Sequence, residues 1–134
     1  MAVMPIARLF FPCANAEQDD AGNTTLVNPI DSILLPTGVE KNFTLGPIFF
    51  YLQVKEGLGT FYFRIEIKNE RGRRLARTKP RKVVFTKQKR TVADEVIFKI
   101  REFRAESAGV IAFELFANEV VLATWDLPLI PIGE

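Results

Sequence analysis

The stretch LGTFYFRIEIKN, residues 58–69, indicates the fold class most directly. Its side chains alternate in type over eight positions, with Phe61, Phe63, Ile65 and Ile67 set against Tyr62, Arg64, Glu66 and Lys68. Successive side chains of a β-strand point to opposite faces of the sheet, so a period of two is typical of a strand. We therefore predict a strand here, with the first set in a core and the second set toward solvent.

The preceding stretch PIFFYLQVK, residues 47–55, predicts a second strand. Phe50, Leu52 and Val54 lie on one face of it, and Phe49 and Tyr51 lie on the other. The glycine-containing sequence KEGLG at residues 55–59 favours a hairpin loop between the two strands. In that arrangement Phe49 and Tyr51 share an outer face with Tyr62.

Further strands are predicted on both sides of this pair. They cover residues 6–13, 24–31, 74–78, 82–87 and 96–101, and residues 109–127 form a hairpin that turns near Asn118 and Glu119 with a two- or four-residue loop. About eight strands without a substantial helix indicate an all-β protein. We expect an antiparallel β-sandwich of immunoglobulin-like or C2-like architecture.

The size of the chain fits one such domain, residues 1–134. Its 134 residues are 48% apolar and include 12 Phe, enough for one sizeable core but too few residues for two ordinary domains.

Positive charge is concentrated in one segment. The formal net charge is only +2, yet residues 64–90 contain twelve basic and two acidic residues, while the rest of the chain contains six basic and fourteen acidic residues. The candidate basic interaction face comprises Arg64, Lys68, Arg71, Arg73, Arg74, Arg77, Lys79, Arg81 and Lys82.

Three interpretations of this segment stay open. Lys, Arg and Pro commonly protect the edge strand of a sheet from pairing with other chains. A basic face could also bind an acidic protein partner or a second copy of the chain. Nucleic-acid binding is the third interpretation, in which Phe49, Tyr51 and Tyr62 supply an aromatic surface for stacking bases. Without a cover, these three aromatic residues are also the candidate aromatic interface with a protein partner.

The composition argues against common catalytic chemistry. The chain has no His, and neither Ser32 nor Ser107 lies in a nucleophile-elbow motif. Cys13 follows an apolar run, so we expect its thiol to be buried and unreactive. No glycine-rich phosphate-binding motif is present in the sequence. We expect no catalytic residues, no cofactor and no enzyme activity.

The acidic loop at residues 17–23 could be considered as a cation site. Its Glu17, Asp19 and Asp20 do not have the spacing of a calcium-binding loop. We predict no metal there, and instead a solvated turn with Gly22 at positive φ.

Cysteine usage bears on the compartment. A single Cys excludes an intramolecular disulfide, and the apolar run at residues 9–11 is too short for a secretion signal. No segment approaches the length of a membrane helix. We expect a cytoplasmic protein that does not enter a membrane.

Several motifs together resemble a group of small bacterial all-β domains of uncharacterised function. They are Cys13-Ala14 at the end of the first strand, the polar loop with Gly22 before Thr25-Leu26-Val27-Asn28, Phe49-Phe50-Tyr51-Leu52, the stretch from Gly59 to Ile67, Glu70-Arg71-Gly72-Arg73-Arg74-Leu75, and the final hairpin from Gly109 to Leu127. The resemblance implies the fold and no activity; in that group the turn after the central strand is acidic, whereas Arg71, Arg73 and Arg74 make it basic here. From these features we expect a non-catalytic protein-interaction or assembly module that binds a protein partner or self-associates, with nucleic-acid binding as the alternative.

Overall fold

The chain folds almost entirely into β-strands. A computed structural model describes residues 2–35, 41–89 and 93–132. The strands are β1 (Ile6–Gln18), β2 (Thr24–Pro29), β3 (Ile33–Leu35), β4 (Lys41–Leu45), β5 (Ile48–Lys55), β6 (Gly59–Lys68), β7 (Arg74–Arg77), β8 (Arg81–Phe85), β9 (Asp94–Ile100), β10 (Phe103–Ser107), β11 (Gly109–Ala117) and β12 (Val120–Pro131). A 3-10 turn covers Lys87–Lys89, and no α-helix occurs in the described residues. The protein is therefore all-β.

The larger sheet has six strands and is built around β6. Its order is β3-β12-β11-β6-β7, and β8 pairs with β6 beside β7. The strands pair antiparallel except β3, which runs parallel to β12. The predicted core set of β6 is confirmed, since Phe61 is 3% exposed and Phe63, Ile65 and Ile67 are fully buried. The set predicted to face solvent is confirmed only at Tyr62: Arg64 and Lys68 are half-buried, and Glu66 is buried because neighbouring strands and side chains cover it.

The smaller sheet is antiparallel and has the order β2-β1-β5-β9. Strands β4 and β10 form a separate antiparallel pair. In β5, Phe50, Leu52 and Val54 are fully buried, as their spacing predicts.

One continuous hydrophobic cluster joins these sheets. The ring of Phe50 on β5 lies 4.7 Å, centroid to centroid, from the ring of Phe113 on β11, so both sheets contribute side chains to the same core. Phe10 of β1 stacks on Phe50 at 4.8 Å, and Phe103 of β10 meets Phe113 edge-on at 6.4 Å. Each fully buried side chain of this size stabilises the fold by about 1.5–3 kcal/mol.

The predicted hairpin between β5 and β6 is wrong. Strand β5 pairs with β1 and β9, whereas β6 pairs with β11, β7 and β8. The connection at residues 55–59 therefore crosses from one sheet to the other. A short glycine-containing loop allows either outcome, and the partner strands that decide between them lie far away in sequence.

The C-terminal hairpin is confirmed, and its loop has two residues. Ala117 pairs with Val120, and Asn118 adopts φ 54° at the turn. The backbone N–H of Asn118 donates to the carbonyl of Tyr62 at 2.9 Å, and its side-chain Oδ1 accepts from the Tyr62 N–H at 3.0 Å. The turn is thereby joined to β6.

The loop after β1 is shorter than predicted, because β1 continues to Gln18. Asp19 organises it: its Oδ1 accepts from the N–H of Ala21 at 3.0 Å and from that of Asn23 at 2.8 Å. Gly22 adopts φ 86°, as expected. Three short strands, β3, β4 and β10, were not predicted, and none of the described helical turns is long or apolar enough to cross a bilayer.

Candidate functional site: the basic edge and the aromatic positions

Two cations of the predicted face are bound to neighbouring side chains. The Arg64 side chain is 18% exposed, and its Nε donates to Glu66 Oε2 at 3.0 Å. Its Nη1 donates to the carbonyl of Asn118 at 2.7 Å, and its guanidinium carbon lies 4.2 Å above the centre of the Phe116 ring. With so many contacts, Arg64 stabilises the outer face of the sheet rather than presenting a free charge.

Lys68 is held in the same way. Its Nζ lies 2.6 Å from Glu114 Oε1 on the neighbouring strand β11, and both side chains are largely covered. Glu114 Oε1 is buried, and among the residues that the structure describes Lys68 is its only partner. Glu114 also pairs in register with Glu66, so Arg64 and Lys68 offset two carboxylates that face each other directly.

Arg81 points between the two sheets. It lies at the start of β8, and its Nη1 donates to the backbone carbonyl of Ile97 on β9 at 2.8 Å. Its guanidinium carbon is 5.9 Å from the centre of the Phe98 ring. Arg81 therefore joins β8 of the larger sheet to β9, a border strand of the smaller sheet.

Five cations of the predicted face are exposed along one side of the larger sheet. We call them the basic edge: Arg71, Arg74, Arg77, Lys79 and Lys82. Arg74 and Arg77 lie on β7 and Lys82 lies on β8, two strands at the border of the sheet, while Arg71 lies in the turn before β7 and Lys79 in the connection between the two strands. None of the five forms an ion pair with an acidic residue in the described ranges 2–35, 41–89 and 93–132. Their charge is therefore open to solvent and to a partner.

Arg73 connects the basic edge to β10. Its Nη1 lies 2.7 Å from Glu106 Oε1 in an exposed ion pair. Beside this pair is an open hollow of 440 Å³, lined by Asn42, Arg73, Arg74, Leu75, Arg104, Ala105 and Glu106. We call it the arginine hollow.

The sequence did not predict that Arg104 belongs to this site. It lies thirty positions beyond Arg74, and only the approach of β10 to β7 brings the two residues to one hollow. A short signal was present in the sequence, where apolar Phe103 and Ala105 alternate with charged Arg104 and Glu106. The structure buries the first two residues and exposes the second two.

The three aromatic candidates do not form one patch. Phe49 and Tyr51 lie on β5 of the smaller sheet, and Tyr62 lies on β6 of the larger sheet. Tyr51 is only 4% exposed and Phe49 is half-buried, whereas Tyr62 is 48% exposed. The prediction of a shared outer face fails because β5 and β6 belong to different sheets.

Tyr51 is buried and shares Glu95 as a partner with the hairpin of β1 and β2. The hydroxyl of Thr24, at the start of β2, donates to Glu95 Oε1 at 3.0 Å, although β2 and β9 form opposite borders of the smaller sheet. Glu95 therefore joins Tyr51 to the start of β2. The Tyr51 hydroxyl donates to Glu95 Oε2 and accepts from Gln53 Nε2. Burial, together with the bond to Glu95, raises the pKa of the Tyr51 hydroxyl.

The thiol of Cys13 and the carboxyl of Asp19 have pKa shifts that burial and turn geometry explain. Cys13 is fully buried, and burial raises the pKa of its thiol. Backbone N–H donors to Asp19 lower the pKa of that carboxyl, as expected for a residue that organises a turn. No cluster of three or more potential metal ligands occurs among the residues that the structure describes.

Comparison with known proteins adds no assignment. No model of a known protein family matches the chain, and no curated protein is significantly similar to it. The resemblance to small bacterial all-β domains therefore stays a prediction.

Proposed function

We propose that this chain is a non-catalytic interaction module that binds an acidic protein partner through the basic edge. The observation that carries the proposal is the exposure of Arg71, Arg74, Arg77, Lys79 and Lys82 without ion pairs to described acids. Protecting a sheet edge from aggregation does not require that every cation on it stays free of ion pairs, so five such cations on one border favour a binding role in addition. A positive surface of this kind accelerates association with an acidic protein and selects against basic ones.

The fold that we propose for the module is an antiparallel β-sandwich of immunoglobulin-like or C2-like architecture. The contact of Phe50 with Phe113 supports it, because these rings belong to different sheets and share one core. An experimental structure in which the two sheets do not face each other would contradict it. We further propose a cytoplasmic location, on the grounds of the single cysteine.

The binding experiment uses two variants that change the net charge equally. One reverses three residues of the basic edge, Arg74→Glu, Arg77→Glu and Lys82→Glu. The control reverses three exposed cations elsewhere, Arg8→Glu, Lys87→Glu and Arg101→Glu. Each protein is used to capture partners from an extract of the host, and a captured protein is then purified and titrated.

The expected result is one acidic protein that binds the wild type and the control but not the basic-edge variant, with an affinity that falls as salt rises. Equal binding by both variants would contradict the proposal. Light scattering measures whether the wild type and the basic-edge variant form dimers. Salt-sensitive dimers of the wild type that the variant does not form would identify the partner as a second copy of the chain, because most acidic residues of the chain lie outside the basic segment.

Polyanion binding is a second candidate because one observation favours it. Tyr62 is exposed and pairs in register with Lys82, so a base could stack on the ring beside a cation. Phe49 and Tyr51 no longer contribute to such a surface, which weakens this candidate. If it is correct, affinity for single-stranded oligothymidylate falls steeply with salt, and Tyr62→Ser weakens binding; no binding at low salt would exclude it.

A further inference from the structure

The arginine hollow differs from the rest of the basic surface because three cations converge on it from separate elements. Arg73 follows the turn after β6, Arg74 begins β7 and Arg104 lies on β10. Glu106 is the one acidic residue among the described residues that line the hollow. Three guanidinium groups against one carboxylate leave an excess of two positive charges there.

One arginine of the hollow, Arg73, already binds a carboxylate of the chain itself. Glu106 Oε1 lies 2.7 Å from Arg73 Nη1 at a site where the two side chains are 50% and 71% exposed, respectively. A guanidinium group pairs with a carboxylate through a planar fork of N–H donors, and Arg74 and Arg104 present the same fork without a described carboxylate partner. Asn42, which also lines the hollow, adds a neutral side-chain amide.

We infer that the arginine hollow is the anchor site for carboxylate side chains of an acidic peptide segment. This inference rests on the proposed function, and it names the place where the partner is held. Arg74 and Arg104 bind the incoming carboxylates, while Glu106 competes with them for Arg73. The hollow volume of 440 Å³ and its open side accommodate an extended segment rather than a single small ion.

The competition by Glu106 leads to opposite effects for two neighbouring substitutions. Arg104→Gln removes a cation from the hollow, so it weakens binding of an acidic peptide. Glu106→Gln removes the competing carboxylate and releases Arg73, so it strengthens binding. Each change is expected to be about two- to fivefold in the dissociation constant, as for solvent-exposed ion pairs.

The experiment titrates octaglutamate into the isotopically labelled protein and follows the arginine Nε–H signals and the dissociation constant by NMR. Lys87→Gln is the matched control, since Lys87 is exposed on the 3-10 turn and does not line the hollow. Octathymidylate is the second probe. We expect weaker octaglutamate binding for Arg104→Gln, stronger binding for Glu106→Gln and little change for Lys87→Gln.

The outcomes separate this inference from the proposed function. If Arg77→Gln and Lys82→Gln weaken octaglutamate binding but Arg104→Gln matches the Lys87→Gln control, the basic edge binds acids and the hollow is not the anchor. Weakening by Glu106→Gln would also overturn the inference. If octaglutamate does not bind, or if octathymidylate binds more tightly and responds to the same substitutions, the acidic peptide is the wrong ligand and both proposals fail.

Discussion

Replacing Tyr51 with Phe tests whether Glu95 of β9 links β5 to the start of β2 within the smaller sheet. Tyr51→Phe keeps the ring, which packs 5.6 Å from the Phe11 ring, and removes only the hydroxyl. Glu95 Oε2 then loses its donor, while Glu95 Oε1 keeps the Thr24 hydroxyl at 3.0 Å. Gln53 Nε2 also loses the acceptor that the hydroxyl provides, so the effect is assigned to the two hydrogen bonds of this hydroxyl, of which the one to the charged Glu95 is the stronger.

The magnitude follows from the burial of that bond. Hydrogen bonds to charged groups contribute about 1.5–3 kcal/mol each. Tyr51 is only 4% exposed, but Glu95 is half-buried and water can reach it once the hydroxyl is gone. We expect the free energy of unfolding to fall by about 2 kcal/mol, near the middle of that range.

Tyr62→Phe is a matched control, because Tyr62 is the only other tyrosine and is 48% exposed. Its effect is expected to stay within about 0.5 kcal/mol, as for most surface substitutions. Urea unfolding can be followed through the fluorescence of Trp125, the single tryptophan. Adding Thr24→Val to Tyr51→Phe in a double-mutant cycle measures the coupling through Glu95. Equal losses for Tyr51→Phe and Tyr62→Phe, or no coupling with Thr24, would refute the reasoning.

Two further predictions concern stability. The pKa of Tyr51 is raised in the folded state, which therefore retains the hydroxyl proton at pH values where the unfolded state has lost it. The contribution of this hydroxyl to the free energy of unfolding is complete below pH about 10 and declines as the pH rises above it. Urea titrations at pH 9 and 11 should show a steeper loss for the wild type than for Tyr51→Phe, and parallel losses would contradict this. A Cβ at Gly57 would lie 2.9 Å from the Phe85 ring and from Pro5, so Gly57→Ala is expected to destabilise by about 1–3 kcal/mol. An unchanged thermal midpoint would show that Phe85 moves aside at little cost.

The alternation of residue types was sufficient to predict the principal strands. The buried set of β6, from Phe61 to Ile67, and the hairpin of β11 and β12 were both correct, because side-chain direction in a strand repeats every two residues. The short strands β3, β4 and β10 were not predicted. Strands this short carry few alternations, and β7 and β8, which are equally short, were predicted because the turn residues Gly72 and Pro80 mark their bounds.

The candidate site was predicted only in part. The concentration of cations at residues 64–90 can be counted in the sequence, but their availability cannot. Arg64 and Lys68 have carboxylate partners, and the partner of Lys68, Glu114, is far from it in sequence although its strand is adjacent in the sheet. Arg104 lines the arginine hollow but lies outside residues 64–90. Each of these outcomes depends on which strands become neighbours, and such pairing involves residues far apart in the chain.

The sequence by itself determined the strand-forming pattern, the absence of histidine and the uneven distribution of charge, since these are properties of neighbouring residues or of composition. Only the tertiary structure decided that β5 and β6 enter different sheets, that Tyr51 is covered while Tyr62 is exposed, and that three arginines line one hollow. The physical reason is that a strand satisfies its backbone hydrogen bonds equally well with many partners. The choice among partners is made by the burial of the whole apolar surface in one core.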